Sequence, residues 1–241
     1  MKVYYDLHIH SALSPCGSGD MTPNNIVNMS LIKGLDFIAL SDHNATGNLE
    51  AAMECAKGTG LVVVPAMEIE TAEEVHVLCL FSTLEGAKQA SKEVYGHLME
   101  IDNKPDIFGP QILYNHNDEV VGEEPRLLIS ATSLPIEAVK QLAESCGGIA
   151  IPAHIDRNSY SVLSNLGFLP EIGFTTVEVS DKAKQTEYTG LGVRMITNSD
   201  AHYLEDIQER ENWLELEEKS ISALLNLLLT PLENDPGNKV K

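Results

Sequence analysis

Two histidines one residue apart close the first apolar run of the chain, Val3-Tyr4-Tyr5-Asp6-Leu7-His8-Ile9-His10. Strand side chains alternate faces, so His8 and His10 point the same way and Ile9 points back. Two imidazoles on one face can grip a metal ion, although histidine also serves as an ordinary half-buried residue. The rest of the chain supplies more groups of the same chemistry. Asp42 and His43 follow the apolar Phe37-Ile38-Ala39-Leu40, and Glu68 and Glu70 follow Leu61-Val62-Val63-Val64. His76 opens a further run, His154 follows Ile151-Pro152-Ala153, and Asp200 and His202 follow Arg194–Thr197. His8, His10, His43, His76, His154, His202, Glu68 and Asp200, with Asp20 as a ninth, exceed what one four-coordinate ion can use. Two ions are the minimum reading, and three are compatible with it. Nitrogen and oxygen donors without thiolates suit Zn, Mn or Fe better than Mg or Ca.

These groups need a scaffold that brings separate strand ends together. The spacing predicts strands at Val3–His10, Asp36–Leu40, Leu61–Val64, Val75–Phe81, Ile149–Ile151, Thr175–Val179 and Arg194–Thr197, with another at Trp213–Leu216. Helices are predicted from Thr22 to about Lys33, where Gly34 stops the turn, and over Gly47–Lys57, Leu84–Ile101, Pro135–Glu144 and Ser220–Leu229. Residues 102–134 read as an irregular excursion, with a helix at Ile107–His116 as one option. Residues from about 231 read as a frayed tail, and 1–241 as a single domain. Short buried strands alternating with helices imply a mostly parallel sheet, and seven or eight such units closing on themselves would form a barrel. In such folds active sites gather at the C-terminal ends of the strands.

Composition narrows the function. With 36 acidic and 16 basic residues the formal charge is −20, which disfavours a long nucleic acid as partner but not a small phosphorylated substrate. Cys16, Cys55, Cys79 and Cys146 are scattered and read as reduced thiols; Cys16, in the loop after His10, keeps a site role open. No apolar run is long enough for a membrane span. The expectation is a cytoplasmic protein without membrane contact.

Asp6-Leu7-His8-Ile9-His10, Ser41-Asp42-His43, Ala66-Met67-Glu68-Ile69, Val75-His76-Val77-Leu78, Pro152-Ala153-His154 and Ser199-Asp200-Ala201-His202 resemble, in order, the motifs of the PHP (polymerase and histidinol phosphatase) superfamily. The resemblance implies an α/β fold, a distorted (β/α)7 barrel whose two- or three-metal site hydrolyses phosphoesters. The stand-alone metal-dependent phosphoesterases of this group are also similar at Gly19-Asp20-Met21-Thr22-Pro23. That likeness implies that Asp20 binds a metal together with His43 and His202. The loop before Asp20 is longer here than in many relatives, and holds Pro15, Cys16 and Gly17.

On this reading His8, His10, Glu68 and Asp200 hold one ion, Glu68, His76 and His154 a second, and Asp20, His43 and His202 a third. The ions would lower the pKa of water and neutralise charge developing on the phosphate. Asp42 is either a catalytic group or an outer carboxylate that orients a histidine. Arg157, three residues after His154, is the candidate phosphate-binding cation, with Lys182 and Lys184 behind it. Glu70 reads as an outer or structural carboxylate, His97 as a surface residue, and His116 as a minor candidate in the excursion. The expected activity is hydrolysis of a small phosphoester. Alternatives are an exonuclease on short oligonucleotides, a histidinol phosphatase, or a non-catalytic metal-binding module.

Overall fold

The computed structural model describes residues 1–232; most of the tail predicted to fray lies outside the described residues. The first half contains β1 (Lys2–Ile9), α1 (Pro23–Ile32), β2 (Phe37–Leu40), α2 (Leu49–Cys55), β3 (Val62–Glu70), β4 (His76–Phe81) and α3 (Leu84–His97). The second half contains α4 (Pro105–Phe108), β5 (Ile112–Tyr114), β6 (Val120–Glu123), α5 (Ile136–Ser145), β7 (Gly148–Pro152), α6 (Val162–Leu166), β8 (Thr176–Glu178), β9 (Arg194–Ile196), β10 (Trp213–Glu215) and α7 (Ile221–Leu229). A 3-10 stretch, Lys182–Leu191, joins β8 to β9.

The helix boundaries follow from local chemistry. Thr22 caps α1 by accepting the Asn25 N–H, Pro23 stands in its first turn, and Gly34 beyond its end has φ +72°. Thr83 and Ser220 cap α3 and α7 in the same way. The helix α3 ends at His97, short of the predicted Ile101, because Leu98 is already extended. In the excursion a single turn, α4, is followed by the β5–β6 hairpin, where a helix at Ile107–His116 is one of the predicted options. Two-stranded pairing there satisfies backbone groups that the prolines deny to a longer helix.

A six-stranded sheet runs in the order β10-β1-β2-β3-β4-β7. It forms an α/β fold with a curled, half-barrel sheet. The strands β1, β2 and β3 are parallel, but β4 runs antiparallel to both β3 and β7, and β10 antiparallel to β1. The expected sheet is mostly parallel, and β4 and β10 are its antiparallel members. The connection from β3 to β4 is a tight turn in which the Thr71 N–H bonds the Val75 carbonyl, too short for a parallel crossover. The parallel pair β8–β9 spans the remaining side. Ile155 N–H bonds the Glu178 carbonyl on one flank, and a parallel bridge joins Ile9 to Ala201 on the other.

The two faces of the sheet are both apolar, as strands covered on both sides should be. Ile38, Met67, Val77, Cys79 and Phe81 pack outward against α1, α2, α3 and α5. Tyr5, Leu7, Phe37, Val64, Ala66, Leu78 and Ile151 pack inward, where Leu224, Leu225 and Leu228 of α7 fill the concavity. The polar cluster described next occupies the rim of that inner face.

Candidate metal centre

Alternation along the strands explains part of the cluster. On β3, Glu68 and Glu70 continue the inward series of Val64 and Ala66, and on β4 His76 continues that of Leu80 and Leu78. The reversal of β4 places its first residue on the rim where β3 ends, with His76 opposite Glu70 in register. The other members break the alternation. The β1–β2 register shifts between Asp6 and Ile9, so His8 turns inward although Leu7 already points there; such irregularities re-aim side chains. His154 and Asp200 have left-handed backbones, φ +29° and +52°. Non-glycine residues hold such conformations at a cost of about 1–3 kcal/mol each and collect at functional sites.

The carboxylate of Glu68 is the hub. Its Oε1 lies 3.0 Å from His76 Nδ1 and 3.3 Å from both His8 Nε2 and His154 Nε2. Its Oε2 lies 3.0 Å from His43 Nδ1 and 3.5 Å from His10 Nε2. Asp200 Oδ1 stands 3.0 Å from His10 Nε2 and 3.4 Å from His8 Nε2. Three groups have donor atoms close enough to share an ion: His8, His10 and Asp200; His43, Glu68 and His76; and His10, His43 and His202.

The residues fit divalent cations on the chemistry of their buried atoms. His43 Nδ1, Glu68 Oε2, His154 Nδ1 and Asp200 Oδ1 are buried without a hydrogen bond. His43 Nδ1 and Glu68 Oε2, though 3.0 Å apart, are not aligned for one. Buried polar groups are normally satisfied, and so many orphans on one rim mark a place for an ion. The outer partners also set the histidine tautomers. His8 Nδ1 donates to Glu178, at 3.0 and 3.2 Å, and His202 Nδ1 donates to the Asp200 carbonyl at 2.8 Å. His10 Nδ1 lies 2.9 Å from Ser14 Oγ, whose hydroxyl donates to Asp42 at 2.7 Å. Each arrangement leaves Nε2 with its lone pair free for a metal.

Electrostatics reflect this crowding. Burial pulls the His8 pKa down, but Glu178, Glu68 and Asp200 raise it well above the ordinary value. His43 and His76 are likewise raised, chiefly by Glu68 against the effect of burial. His10 is driven well below the ordinary value by burial and by His202 and His43. Burial would raise the carboxyls of Glu68 and Asp200, yet the imidazoles hold both well below the usual range.

The structure therefore brings His8, His10, His43, Glu68, His76, His154, Asp200 and His202 to one place. Asp20 is not among them. It is exposed ahead of α1, its N–H bonded to Ser18 Oγ and its carbonyl to Asn25, so its expected place beside His43 and His202 is corrected. Cys16 is exposed in the loop ahead of it. Burial opposes ionisation of its thiol, but His202 and His43 lower the pKa to about 6.

Asp42 does not face the cluster either. It accepts from Ser11 N–H, Ser11 Oγ and Ser14 Oγ, all at 2.7 Å, and braces His10 from behind. This placement suits the outer, orienting alternative. Arg157 reaches the site, with Nη1 2.5 Å from Asp200 Oδ2. Lys182 and Lys184 are turned to Asn212 and Asp156. Glu70 lies 3.7 Å from His76 Nε2, His97 bonds Ser133, and His116 is exposed in the hairpin loop.

Glu178 is the residue the sequence reading missed. It is buried and accepts from His8, from Asn198 Nδ2 at 2.7 Å and from the His154 N–H at 3.0 Å. The available signal is a carboxylate inside the apolar strand Thr175–Val179. A cavity of about 200 Å³ opens over the cluster, lined by His43, Glu68, His76, His154, Arg157, Ser159, Tyr160, Asp200 and His202. The Tyr160 ring stacks on His76 with centroids 4.8 Å apart.

An α/β scaffold with a histidine–carboxylate cluster on the rim of a curled sheet defines the class. The sequence profile of the PHP domain matches residues 6–158, and the chain belongs to the PHP domain family. A 5′-3′ exoribonuclease of Haemophilus influenzae is 32% identical over 83 residues, which span 33% of this chain and 29% of that protein. A phosphoribosyl 1,2-cyclic phosphate 1,2-diphosphodiesterase of Eggerthella lenta is 31% identical over 80 residues, 31% of this chain and 29% of that protein. The match thus spans less than a third of either relative. Among solved structures, the lesion-specific endonuclease PfuEndoQ of Pyrococcus furiosus superposes with a TM-score of 0.69 at 20% identity. That superposition covers 95% of this chain and 56% of the endonuclease.

Proposed function

We propose that the chain is a metal-dependent hydrolase of phosphoesters, acting on a small substrate or on the end of a short chain. The observation that carries this reading is Glu68. One buried carboxylate with five imidazoles within 3.5 Å is an arrangement for cations, since it would otherwise bury several unsatisfied groups. His8, His10 and Asp200 would hold one ion, and His76 and His154 a second, with Glu68 shared between them. A third ion would sit on His43 and His202. Bound divalent ions, of Zn, Mn or Fe type, supply Lewis acidity at the phosphoryl oxygens and lower the pKa of water.

The chain's own groups do the rest. Glu178 fixes the ring of His8, and Ser14 with Asp42 fixes that of His10, so the ligand nitrogens are held before substrate arrives. Arg157 uses one nitrogen on Asp200 and keeps other guanidinium donors for a phosphate entering the cavity. Ser159 and Tyr160 wall the entrance beside it. The size of the cavity and the charge of −20 favour a mononucleotide-sized group over a duplex. We read residues 1–241 as one domain of (β/α)7 type, with β8 and β9 completing the circuit, and its place as the cytoplasm. Among the described residues no helix is long and apolar enough to cross a membrane.

A second reading, exonuclease action on short single strands, is favoured by the name of the Haemophilus influenzae relative. Elemental analysis of the purified chain tests the first step. Turnover of nucleoside monophosphates, histidinol phosphate, a generic phosphodiester and short oligonucleotides, with Mn²⁺ or Zn²⁺ added, tests the second. A fully metallated protein that turns over none of them is a metal-binding module and refutes the hydrolase.

A further inference from the structure

We propose that Tyr160 is the residue on which the substrate's aromatic base stacks, so that the site selects nucleoside phosphates over phosphates that carry no aromatic group. This inference rests on the hydrolase reading above and names its substrate class.

The cavity over the cluster, about 200 Å³, is smaller than the roughly 300–1,000 Å³ that enclose a whole small ligand. It has room for a phosphoryl group and leaves the rest of a nucleotide at its mouth. Tyr160 stands there with Arg157 and Ser159. Its ring lies face to face with that of His76, with centroids 4.8 Å apart and planes 21° apart. The His76 ring meets those of His43 and His154 edge-on, at 5.2 Å in each case. Tyr160 thus ends a row of rings that leads from the metal centre to solvent. The residue is 46% exposed, so ring surface away from His76 stays open. Exposed aromatic residues are ordinary when scattered. Here one rests on a candidate metal ligand, in the same cavity wall as a guanidinium suited to phosphate.

The surrounding chain holds the ring there against its own backbone preference. Tyr160 has φ +55°, a left-handed conformation that a bulky side chain rarely adopts. Its loop is pinned on both flanks. The His76 N–H bonds the Tyr160 carbonyl at 2.9 Å, and the Arg157 N–H bonds the His154 carbonyl at 3.0 Å. Ser161 Oγ donates to the Arg157 carbonyl at 2.8 Å and caps α6 by accepting the Ser164 N–H at 3.1 Å. One braced loop, beginning at the candidate ligand His154, therefore carries both Arg157 and Tyr160. A phosphate held by the ions and by the remaining donors of Arg157 would bring its nucleoside over Tyr160. Every base offers a flat face to an aromatic ring, so the contact would require a base without choosing among bases.

The test compares two substrates on the metallated full chain. They are a nucleoside 5′-monophosphate and ribose 5-phosphate or, where only diesters turn over, a dinucleotide and its abasic analogue. The readout is the ratio of their kcat/KM values, which cancels any loss common to both. Wild type should favour the base-bearing member about 5–150-fold. Tyr160→Phe keeps the ring and should keep the ratio. Tyr160→Leu keeps apolar cover on His76 and should bring the ratio close to one, chiefly through KM. Adenosine should inhibit wild type competitively and ribose should not, a readout that needs no variant to fold. A wild-type ratio close to one, or a Tyr160→Leu protein that keeps the wild-type ratio, overturns the stacking role and leaves the hydrolase standing. So does a Tyr160→Phe protein whose ratio falls as far as that of Tyr160→Leu, which would assign the effect to the hydroxyl. Loss of metal and of both activities in Tyr160→Leu at an unchanged ratio would make Tyr160 a support for His76 and overturn the proposal as well. A metallated wild type that turns over neither member overturns the hydrolase reading and this inference together.

Discussion

Glu178→Gln is the sharpest test of how the site is held. Glutamine keeps the length of the side chain and exchanges one acceptor oxygen for an amide that only donates. In the native site Oε2 accepts from Asn198 at 2.7 Å and His8 at 3.0 Å, while Oε1 accepts from the His154 N–H at 3.0 Å and lies 3.2 Å from His8. Whichever position the single oxygen takes, the amide faces another donor, Asn198 or His154. One buried donor left unpaired costs about 1–3 kcal/mol, and losing the charge opposite His8 moves the metal-free protein toward the roughly 3–5 kcal/mol of a broken buried pair. His8 still has an acceptor in one orientation, so metal affinity should fall about 10–100-fold, not vanish. That is about 1.4–2.8 kcal/mol at 1.4 per factor of ten. Competition against a chromophoric chelator gives the affinity, and thermal melts with and without metal give the stability. A Glu178→Gln protein that keeps metal within a factor of about two of wild type, with an unchanged melt, refutes the positioning role.

Further outcomes follow from the same geometry. Asp200→Asn should cost one metal equivalent and most activity while the far-UV spectrum is kept; full metallation and turnover would contradict the first ion site. Arg157→Ala should leave metal content alone and raise KM or lower kcat on phosphomonoesters, and an unchanged kcat/KM removes Arg157 from phosphate binding. Asp42→Asn should weaken metal binding less than His10→Ala, because it acts only through Ser14; equal losses in the two variants would place Asp42 among the ligands. His8, His43, His76 and His202 hold protons above the ordinary value of 6.5, so a cation must displace them. Metal affinity should climb with pH through the region above 6.5, and calorimetry in buffers of different ionisation enthalpy should show protons released. The stability those imidazoles give the metal-free protein has the opposite sense. It is complete below 6.5 and is lost as pH rises through their raised values. Proton-neutral binding would refute both statements.

Much of the centre was legible because its donors sit at the ends of apolar runs. His8, His10, His43, Glu68 and His154 could be placed by strand pattern alone. His76 looked out of place at the start of a strand; the reversal of β4 resolves this, and a tight Thr71–Val75 connection was the clue to it. Asp20 was expected at the cluster on the likeness of Gly19-Asp20-Met21-Thr22-Pro23 to the stand-alone phosphoesterases, and the turn that Gly17 and Ser18 build leaves it exposed ahead of α1. Glu178 stayed hidden. A lone glutamate in a short strand carries no spacing signal, and only tertiary contact reveals what it touches. The left-handed backbones at His154 and Asp200 were equally invisible, since neither residue is a glycine.

The seam between β1 and the segment after β9 has a further consequence. Within the six-stranded sheet the strands are joined by runs of paired residues, but here the parallel pairing narrows to the single bridge of Ile9 with Ala201, beside the His8–Asp200 contact. His8 and Asp200 are separated by 192 residues of chain (200 − 8). Closing a loop of that length costs about (3/2)RT ln n, roughly 4–5 kcal/mol. An ion gripped by both residues therefore acts as a clasp between the first and last thirds of the protein. Chelation would loosen that clasp first, so amide exchange should quicken around residues 194–202 before it changes in β2 and β3.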